Sequence, residues 1–309
     1  MAPISPVEQA RQLLLSQDYV ADTRLATVVH LALQLKRPLF LEGEPGTGKT
    51  EIARTLAAAL GRPLIRLQCY EGLDLAGALH ESTPGAGAAP EFGGSGSSRD
   101  DLSARLFGER FLIKRALLQA IDPAQPVPPV LLIDELDRAD EPFEAFLLEV
   151  LSDWQITIPE FGTVRAVQPP IVVLTSNRTR EIHDAVKRRC LYHWVGFPDA
   201  QREAEILARR LPEVPKALAS QVVAFVQELR RLELYKLPGV AETLEWARSL
   251  MVLGAQEVNA ALVRHTLGLL LKYQDDIARV DGDEIARLLQ RVLPPVLQPA
   301  QAQAQTALR

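Results

Sequence analysis

This sequence has few cysteines, no long apolar run and no excess of basic over acidic residues, and each of these features excludes some classes of protein. Its two cysteines, Cys69 and Cys190, are too few for a disulfide framework and fit a reducing compartment. No apolar run approaches the length that spans a membrane. Residues 1–6 contain no basic segment followed by an apolar run, so the sequence predicts no signal peptide. We therefore expect a soluble, cytoplasmic protein.

A net positive charge would indicate a nucleic-acid-binding surface, and clustered histidines would indicate a metal site. The sequence shows neither feature. The formal net charge is −5, which disfavours a surface built to bind nucleic acid but leaves room for a local basic patch. The histidines show no ligand spacing, and Cys190 with His193 supplies too few ligands for a zinc site. The 309 residues suffice for one large domain or two modest ones.

The clearest chemical signal is the segment Gly43–Thr50, which has the spacing G-x-x-x-x-G-K-T. An apolar segment, 38–41, precedes it and strong helix formers, 51–60, follow, which is the context that a phosphate-binding loop requires. The glycines let backbone N–H groups face phosphate oxygens. Lys49 is predicted to reach the β- and γ-phosphates, and the Thr50 hydroxyl to hold Mg²⁺. We predict that the chain binds ATP, because the Asn-Lys-x-Asp pattern that reads guanine is absent.

Two later apolar segments end in polar residues that suit hydrolysis. Segment 130–135 ends in Asp134, predicted to hold Mg²⁺ directly or through water, and Glu135, predicted to orient the attacking water. Segment 171–177 ends in Asn177, which is predicted to bond the γ-phosphate or the water. An Asn after a strand is more often a turn residue, so that alternative stays open.

A short helix predicted over 181–187 leads into Arg188 and Arg189. Positive charge at a helix C-terminus complements the helix dipole, which is one interpretation of these two residues. The other interpretation is an arginine finger that reaches the phosphates bound by a neighbouring subunit.

The order of the segments predicts an α/β fold with a parallel sheet sandwiched by helices, followed by an all-α domain. Strands are predicted at 38–41, 64–67, 130–133, 171–175 and 191–195. The predicted parts are N-terminal helices packing on the core over 1–36, a nucleotide-binding domain over 37–198, a helical lid over 199–293 and a disordered tail over 294–309. Within the second part, we expect a flexible loop at 82–101 and an inserted hairpin at 154–167.

Taken together, these parts resemble the AAA+ P-loop ATPases and, more narrowly, the MoxR family, over about residues 32–276. The segments that carry the narrower resemblance are 41–51, 68–74, 133–139 and 147–151. They look most similar to the CoxD-like branch encoded beside molybdenum-containing carbon monoxide dehydrogenases. The resemblance implies a homo-oligomeric ring, a hexamer, whose active sites lie between subunits. It points to Arg189 as the finger, with Arg188 as the second choice.

The resemblance implies three overlapping sets of site residues. The nucleotide-binding residues, including the phosphate loop or Walker A motif, are Gly43, Glu44, Pro45, Gly46, Thr47, Gly48, Lys49, Thr50, Glu51 and Asp134. The catalytic residues are Lys49, Glu135, Asn177 and Arg189. The Mg²⁺ ligands are Thr50 and Asp134.

The resemblance also implies a function and partner proteins. The expected partners are a protein with a von Willebrand factor A domain and a client metalloenzyme. The expected function is a chaperone that remodels the client during maturation or metal-centre assembly of a molybdenum hydroxylase. Two alternatives remain: a nucleotide-gated binding scaffold with little turnover, and a DNA-acting AAA+ ATPase.

Two segments depart from the family pattern. Many relatives carry an arginine at the start of a lid helix, and the comparable segment 237–246 has none, so Arg248 is a candidate replacement. The loop at 82–101 lacks the aromatic character that relatives show, which leaves its role in client binding open.

Overall fold

The computed structural model describes residues 4–71, 80–82, 112–114, 116–158 and 162–292. The chain divides into two compact units, Met1–Phe197 and Pro198–Arg309. Nearly all of the loop predicted at 82–101, and the whole tail predicted at 294–309, lie outside the described residues. No helix in the described part of the chain is both long and apolar enough to cross a membrane.

A five-stranded parallel sheet organises the first unit. The strands in its described part are β1 Leu39–Glu42, β2 Leu64–Gln68, β3 His80–Ser82, β4 Leu112–Lys114, β5 Val130–Asp134, β6 Gln155–Ile158, β7 Gly162–Arg165, β8 Ile171–Ser176 and β9 Leu191–Trp194. The order in the sheet is β2-β5-β8-β1-β9. All five predicted strands take part in the sheet. The predicted parallel α/β architecture is therefore confirmed.

Helices cover both faces of the sheet. They are α1 Pro6–Leu15, α2 Thr23–Leu35, α3 Lys49–Leu60, α4 Ala116–Ile121, α5 Glu141–Asp153 and α6 Asp184–Arg189. On one face, Leu132 of β5 belongs to an apolar cluster with Ile52 of α3. On the other, Ile133 belongs to a cluster with Phe143 of α5. Successive residues of one strand point to opposite faces, so β5 contributes to both layers.

Capping residues fix where the first and the sixth helix begin. The Ser5 hydroxyl accepts a hydrogen bond from the Glu8 N–H at 3.2 Å and starts α1 as the sequence predicts. The short helix predicted to begin at 181 begins at Asp184 instead. His183 lies just before it, and its Nδ1 accepts from the Ala185 N–H at 3.1 Å. A histidine that acts as the cap was the signal missed.

The segment predicted as a hairpin pairs β6 with β7 in an antiparallel arrangement, with Gln155 opposite Arg165. Trp154 ends helix α5 in the left-handed conformation, at φ 54°, and this reverses the chain into β6. Ile156 is fully buried in the same apolar cluster as residues of α5, so one side of the hairpin packs on the core of the unit to which it belongs.

The second unit is helical throughout its described part. Its helices are α7 Ala200–Arg210, α8 Lys216–Leu229, α9 Val240–Val252, α10 Ala260–Leu270, α11 Gln274–Val280 and α12 Asp283–Val292. Trp246 is fully buried, packs with its ring centre 5.3 Å from that of Phe225, and donates its indole N–H to Thr266 at 2.8 Å. Arg230 and Glu203 form a buried ion pair at 2.7 Å. The core of this unit therefore combines aromatic packing with satisfied polar groups.

Candidate active site

The phosphate loop connects β1 to α3 and needs glycine at two points. A Cβ on Gly43 would lie 2.2 Å from the carbonyl oxygen of Val195, so no other side chain fits beside β9. Gly48 has φ +90° and precedes α3 without supplying a side-chain cap. Gly48 has no side chain to cap α3, and a helix N-terminus of this kind suits an anion.

Lys49 is buried at the start of α3, and its ammonium folds back onto the loop. Its Nζ donates to the carbonyl oxygens of Gly43 and Glu44, each at 2.7 Å. Burial lowers the pKa of Lys49 to about 8, although the nearby carboxylates of Asp137 and Glu44 oppose that shift. The loop thus holds one cation in its centre, where phosphate oxygens would replace the carbonyls as partners.

Asp134 is the most heavily hydrogen-bonded residue of the site. It ends β5 and is 3% exposed. Its Oδ1 accepts from the hydroxyls of Thr50 at 2.9 Å and Thr175 at 2.6 Å. Its Oδ2 accepts from Arg66, whose Nε lies at 3.0 Å and whose Nη2 lies at 2.5 Å. The fold therefore brings Thr50 and Asp134 together, as a shared Mg²⁺ site requires.

The donor set fits Mg²⁺. Thr50 supplies a hydroxyl oxygen and Asp134 a buried carboxylate, both of the hard oxygen type that Mg²⁺ prefers. Thr175 and Arg66 have no place in the sequence prediction. They lie on the strands that flank β5, so only the strand order could have revealed them.

Glu135 follows Asp134 with an unusual backbone. Its φ of +56° is a left-handed conformation that a non-glycine residue adopts at an energetic cost. Its N–H donates to the Thr175 hydroxyl at 2.9 Å, and its partly exposed carboxylate pairs with Arg138 at 3.0 Å. The backbone of Glu135 is thus fixed by the same hydroxyl that bonds Asp134, while its carboxylate remains accessible to water.

Asn177 lies just beyond β8, and an aspartate that the sequence analysis did not single out holds its segment. The Asn177 N–H donates to Asp137 Oδ1 at 3.2 Å, and Thr179 donates to Asp137 Oδ2 through its N–H at 2.9 Å. Burial raises the pKa of Asp137, but the hydrogen bond from the Thr179 hydroxyl at 2.7 Å and the two N–H bonds together outweigh burial and bring the pKa below its ordinary value. Asp137 therefore ties the end of β8 to the segment after β5.

Arg188 and Arg189 end α6, and both side chains are exposed. Arg189 donates to the Ser152 hydroxyl at 2.5 Å and to the Ala185 carbonyl at 3.0 Å. Arg188 lies 3.8 Å from Asp184, in a pair in which both side chains are about four-fifths exposed. Exposed ion pairs contribute little stability, so Arg188 can leave Asp184 at small cost, and the two hydrogen bonds of Arg189 are exposed to water, which can replace them.

The base of the loop rests on a buried carboxylate at the end of β1. Glu42 accepts from the Tyr192 hydroxyl of β9 at 2.9 Å and from the Ser176 hydroxyl of β8 at 3.4 Å. Burial raises the pKa of Tyr192 to about 12, and the bond to Glu42 acts in the same direction. Three adjacent strands are thereby connected just before the phosphate loop begins.

A family profile matches residues 39–195, and its description is ATPase family associated with various cellular activities, or AAA. The matched stretch begins with β1 and ends one residue after β9. It therefore contains the phosphate loop, Asp134 and Glu135, and both arginines of α6.

Individual relatives match parts of the chain. The Lon protease of Syntrophus aciditrophicus is 28% identical over 160 residues, which are 48% of this chain but 17% of that protein. An uncharacterized protein of Staphylococcus haemolyticus, SH1500, is 23% identical over 205 residues, 64% of this chain and 70% of its own. A point mutant of Thermotoga maritima RuvB superposes with a TM-score of 0.50 at 18% identity, over 85% of this chain and 71% of its own. That superposition shows a shared fold.

Proposed function

This chain belongs to the AAA family of ATPases, and we propose that it hydrolyses ATP at the subunit interfaces of a ring in order to remodel a client protein. The observation that carries the ATPase proposal is the contact between the phosphate loop and the acidic strand. Thr50 and Asp134 are 84 positions apart in sequence, yet their side chains are 2.9 Å apart.

The proposed roles follow from the contacts of each residue. Lys49, already held in the centre of the loop, binds the β- and γ-phosphates. Thr50 and Asp134 hold Mg²⁺, which when bound neutralises phosphate charge. Glu135 orients the attacking water with its accessible carboxylate, and Asn177, fixed through Asp137, bonds the γ-phosphate or the water.

The exposed end of α6 supports a site shared between subunits. Arg189 is the proposed finger and Arg188 the alternative, because both lie on the surface and both have partners that they can leave at small cost. We propose a hexamer on family resemblance. The proposed lid, residues 199–293, lies within the second unit.

The narrower proposal is a MoxR-type chaperone that acts with a von Willebrand factor A domain protein on a client metalloenzyme. Its support is the resemblance of segments 41–51, 68–74, 133–139 and 147–151 to that family. The client we propose is a molybdenum hydroxylase such as carbon monoxide dehydrogenase. Cys69 and Cys190 are free and buried, which supports a reducing, cytoplasmic location.

The client proposal is tested by trapping the ATP state. We expect tagged Glu135→Gln, which keeps the phosphate loop but lacks the water-orienting carboxylate, to accumulate with ATP bound. Expressed in the native host, it should retain a von Willebrand-type partner and a molybdenum enzyme subunit, identified by mass spectrometry. Lys49→Ala is the matched control, because without its phosphate-binding lysine it should bind ATP far more weakly and retain neither. Equal recovery from both variants, or recovery of DNA-metabolism proteins instead, would contradict the chaperone role.

A further inference from the structure

Hydrogen bonds already occupy all the lone pairs of the Asp134 carboxylate, so none is left for a metal or its bound waters. A carboxylate accepts at about four lone-pair positions, two on each oxygen. Oδ1 accepts from Thr50 and Thr175, and Oδ2 accepts two N–H groups of Arg66. Anything that is to bind Asp134 must therefore displace one of these donors.

The sheet register explains how Arg66 reaches a buried carboxylate. β2 pairs with β5 in parallel, with Gln68 opposite Asp134 and Arg66 opposite Leu132. Side chains two residues apart share a face of the sheet, so Arg66, Gln68 and Asp134 all lie on the same face. Arg66 also donates to the side-chain oxygen of Gln68. The guanidinium is thus held between two residues at the carboxyl end of the strands.

The side chains of Arg66 and Asp134 are exposed to very different extents. The Arg66 side chain is 45% exposed, whereas that of Asp134 is 4% exposed. β2 lies at the edge of the sheet, so the guanidinium reaches the carboxylate from the solvent side. Arg66 can therefore leave into water, but Asp134 cannot, and a buried carboxylate left without a partner is costly.

Arg66 and Mg²⁺ can each neutralise the buried carboxylate of Asp134, because both are positively charged. A guanidinium does so through charge-assisted hydrogen bonds in a fork geometry. Mg²⁺ does so through oxygen coordination or through its bound waters. Two cations near one carboxylate also repel each other, so full occupation by one disfavours the other.

We propose that Arg66 is a positioning residue that competes with Mg²⁺ for Asp134 and so sets the Mg²⁺ concentration needed to load nucleotide. The inference rests on the proposed function, because it assigns Asp134 to the metal. Without nucleotide, Arg66 neutralises Asp134 and fixes its orientation. With Mg²⁺ and nucleotide bound, Thr50 would turn from Oδ1 to the metal, and repulsion between the metal and the guanidinium would weaken the bonds of Arg66 to Oδ2.

The test is a Mg²⁺ titration of nucleotide binding, which does not depend on turnover. A fluorescent, non-hydrolysable ATP analogue is held at a subsaturating concentration while Mg²⁺ is raised. We expect Arg66→Gln to lower the Mg²⁺ midpoint about tenfold, because a competing cation is removed. Affinity for the analogue in EDTA should change less than about twofold, since Arg66 contacts Asp134 and not the phosphate loop.

The matched control is Arg62→Gln, which removes an equal charge just before β2. Arg62 donates to the Pro128 carbonyl at 3.3 Å, near the opposite end of the strands from Asp134. Its Mg²⁺ midpoint should equal that of the wild type. A shift as large as that of Arg66→Gln would mean that net charge, and not the contact with Asp134, determines the midpoint, and would overturn the inference.

Three further outcomes are decisive. An unchanged or raised midpoint in Arg66→Gln overturns the role of Arg66 and leaves the ATPase proposal intact. If Arg66→Gln does not fold, Arg66→Lys replaces it, because lysine keeps the charge but lacks the forked N–H groups of the guanidinium. Its Mg²⁺ midpoint should lie about threefold below that of the wild type. A wild-type midpoint in that variant overturns the inference. Wild-type protein that binds no analogue at any Mg²⁺ concentration contradicts the proposed function itself, and the inference with it.

Discussion

At the scale of single residues, Lys49 couples nucleotide binding to pH. Burial lowers its pKa to about 8 in the free protein. Phosphate binding favours the charged form, so a proton must be taken up when nucleotide binds above that pH. We therefore expect the affinity for an ATP analogue to fall as the pH rises through about 8, approaching a tenfold loss for each further unit.

The measurement is the Kd of the fluorescent analogue from about pH 7.5 to about pH 9.5, a range in which ATP keeps its charge. Burial raises the pKa of both Cys69 and Tyr192 to about 12, so neither group ionises in that range. Lys49→Ala is the control, and its residual affinity should not vary with pH. A flat profile in the wild type would show that Lys49 stays charged throughout and is not the coupled group.

Which site residues could be predicted depends on whether they lie in a local motif. Lys49, Thr50 and Asp134 stand in contiguous patterns with a chemical meaning, and the fold brings Thr50 and Asp134 within 2.9 Å. Arg66 and Thr175 are isolated polar residues on strands. Their contact with Asp134 follows from the order β2-β5-β8, which depends on pairing between distant segments and has no local pattern.

At the scale of elements, β1, the phosphate loop and β9 meet at a closely packed junction. A Cβ at Gly43 would meet the Val195 carbonyl oxygen at 2.2 Å, and that backbone is itself fixed by the bond from the Val195 N–H to the Glu42 carbonyl at 2.7 Å. We expect Gly43→Ala to destabilise the protein by about 1–3 kcal/mol and to weaken nucleotide binding, because β9 must move away from the loop.

Thermal unfolding and analogue binding measure these two effects. Gly61→Ala is the matched control, since Gly61 has φ +62° but a Cβ there meets nothing within 4 Å. It should cost about 1–2 kcal/mol through left-handed strain and leave the affinity for nucleotide unchanged. If Gly43→Ala binds nucleotide as tightly as Gly61→Ala, the close approach of β9 is not what shapes the loop.

The predictability of elements follows the strength of their local signals. The five sheet strands are short segments rich in apolar residues, and the sequence predicts all five. In the second unit, α7 and α11 end next to Pro212 and Gly282, whereas α8 ends at Leu229, well before Pro238 and Gly239. The interruption at 253–259 carries two local signals that the prediction did not use, Gly254 at φ +71° and the capping residue Asn259, whereas 271–273 carries no glycine or proline.

At the scale of the whole molecule, the account depends on sites shared between subunits. The exposed arginines of α6 and the phosphate loop belong to the same unit of the chain. One subunit can therefore receive an arginine from one neighbour at its phosphate loop and place its own arginine at the phosphate loop of another. Head-to-tail contact of this kind closes into a ring when the rotation between subunits permits it. The shared site makes a quantitative prediction for mixtures of two inactive variants.

The most direct test is ATP turnover by Arg189→Ala and Lys49→Ala, alone and mixed one to one with free subunit exchange. Alone, each should lose on the order of 10³-fold in kcat, the first without its finger and the second without its phosphate-binding lysine. In the mixture, half the loops and half the fingers are intact, so about a quarter of the interfaces, and of wild-type turnover, should return. Arg188→Ala mixed in the same way decides between the two arginines. A mixture as inactive as its components, for both arginines, would contradict a site shared between subunits.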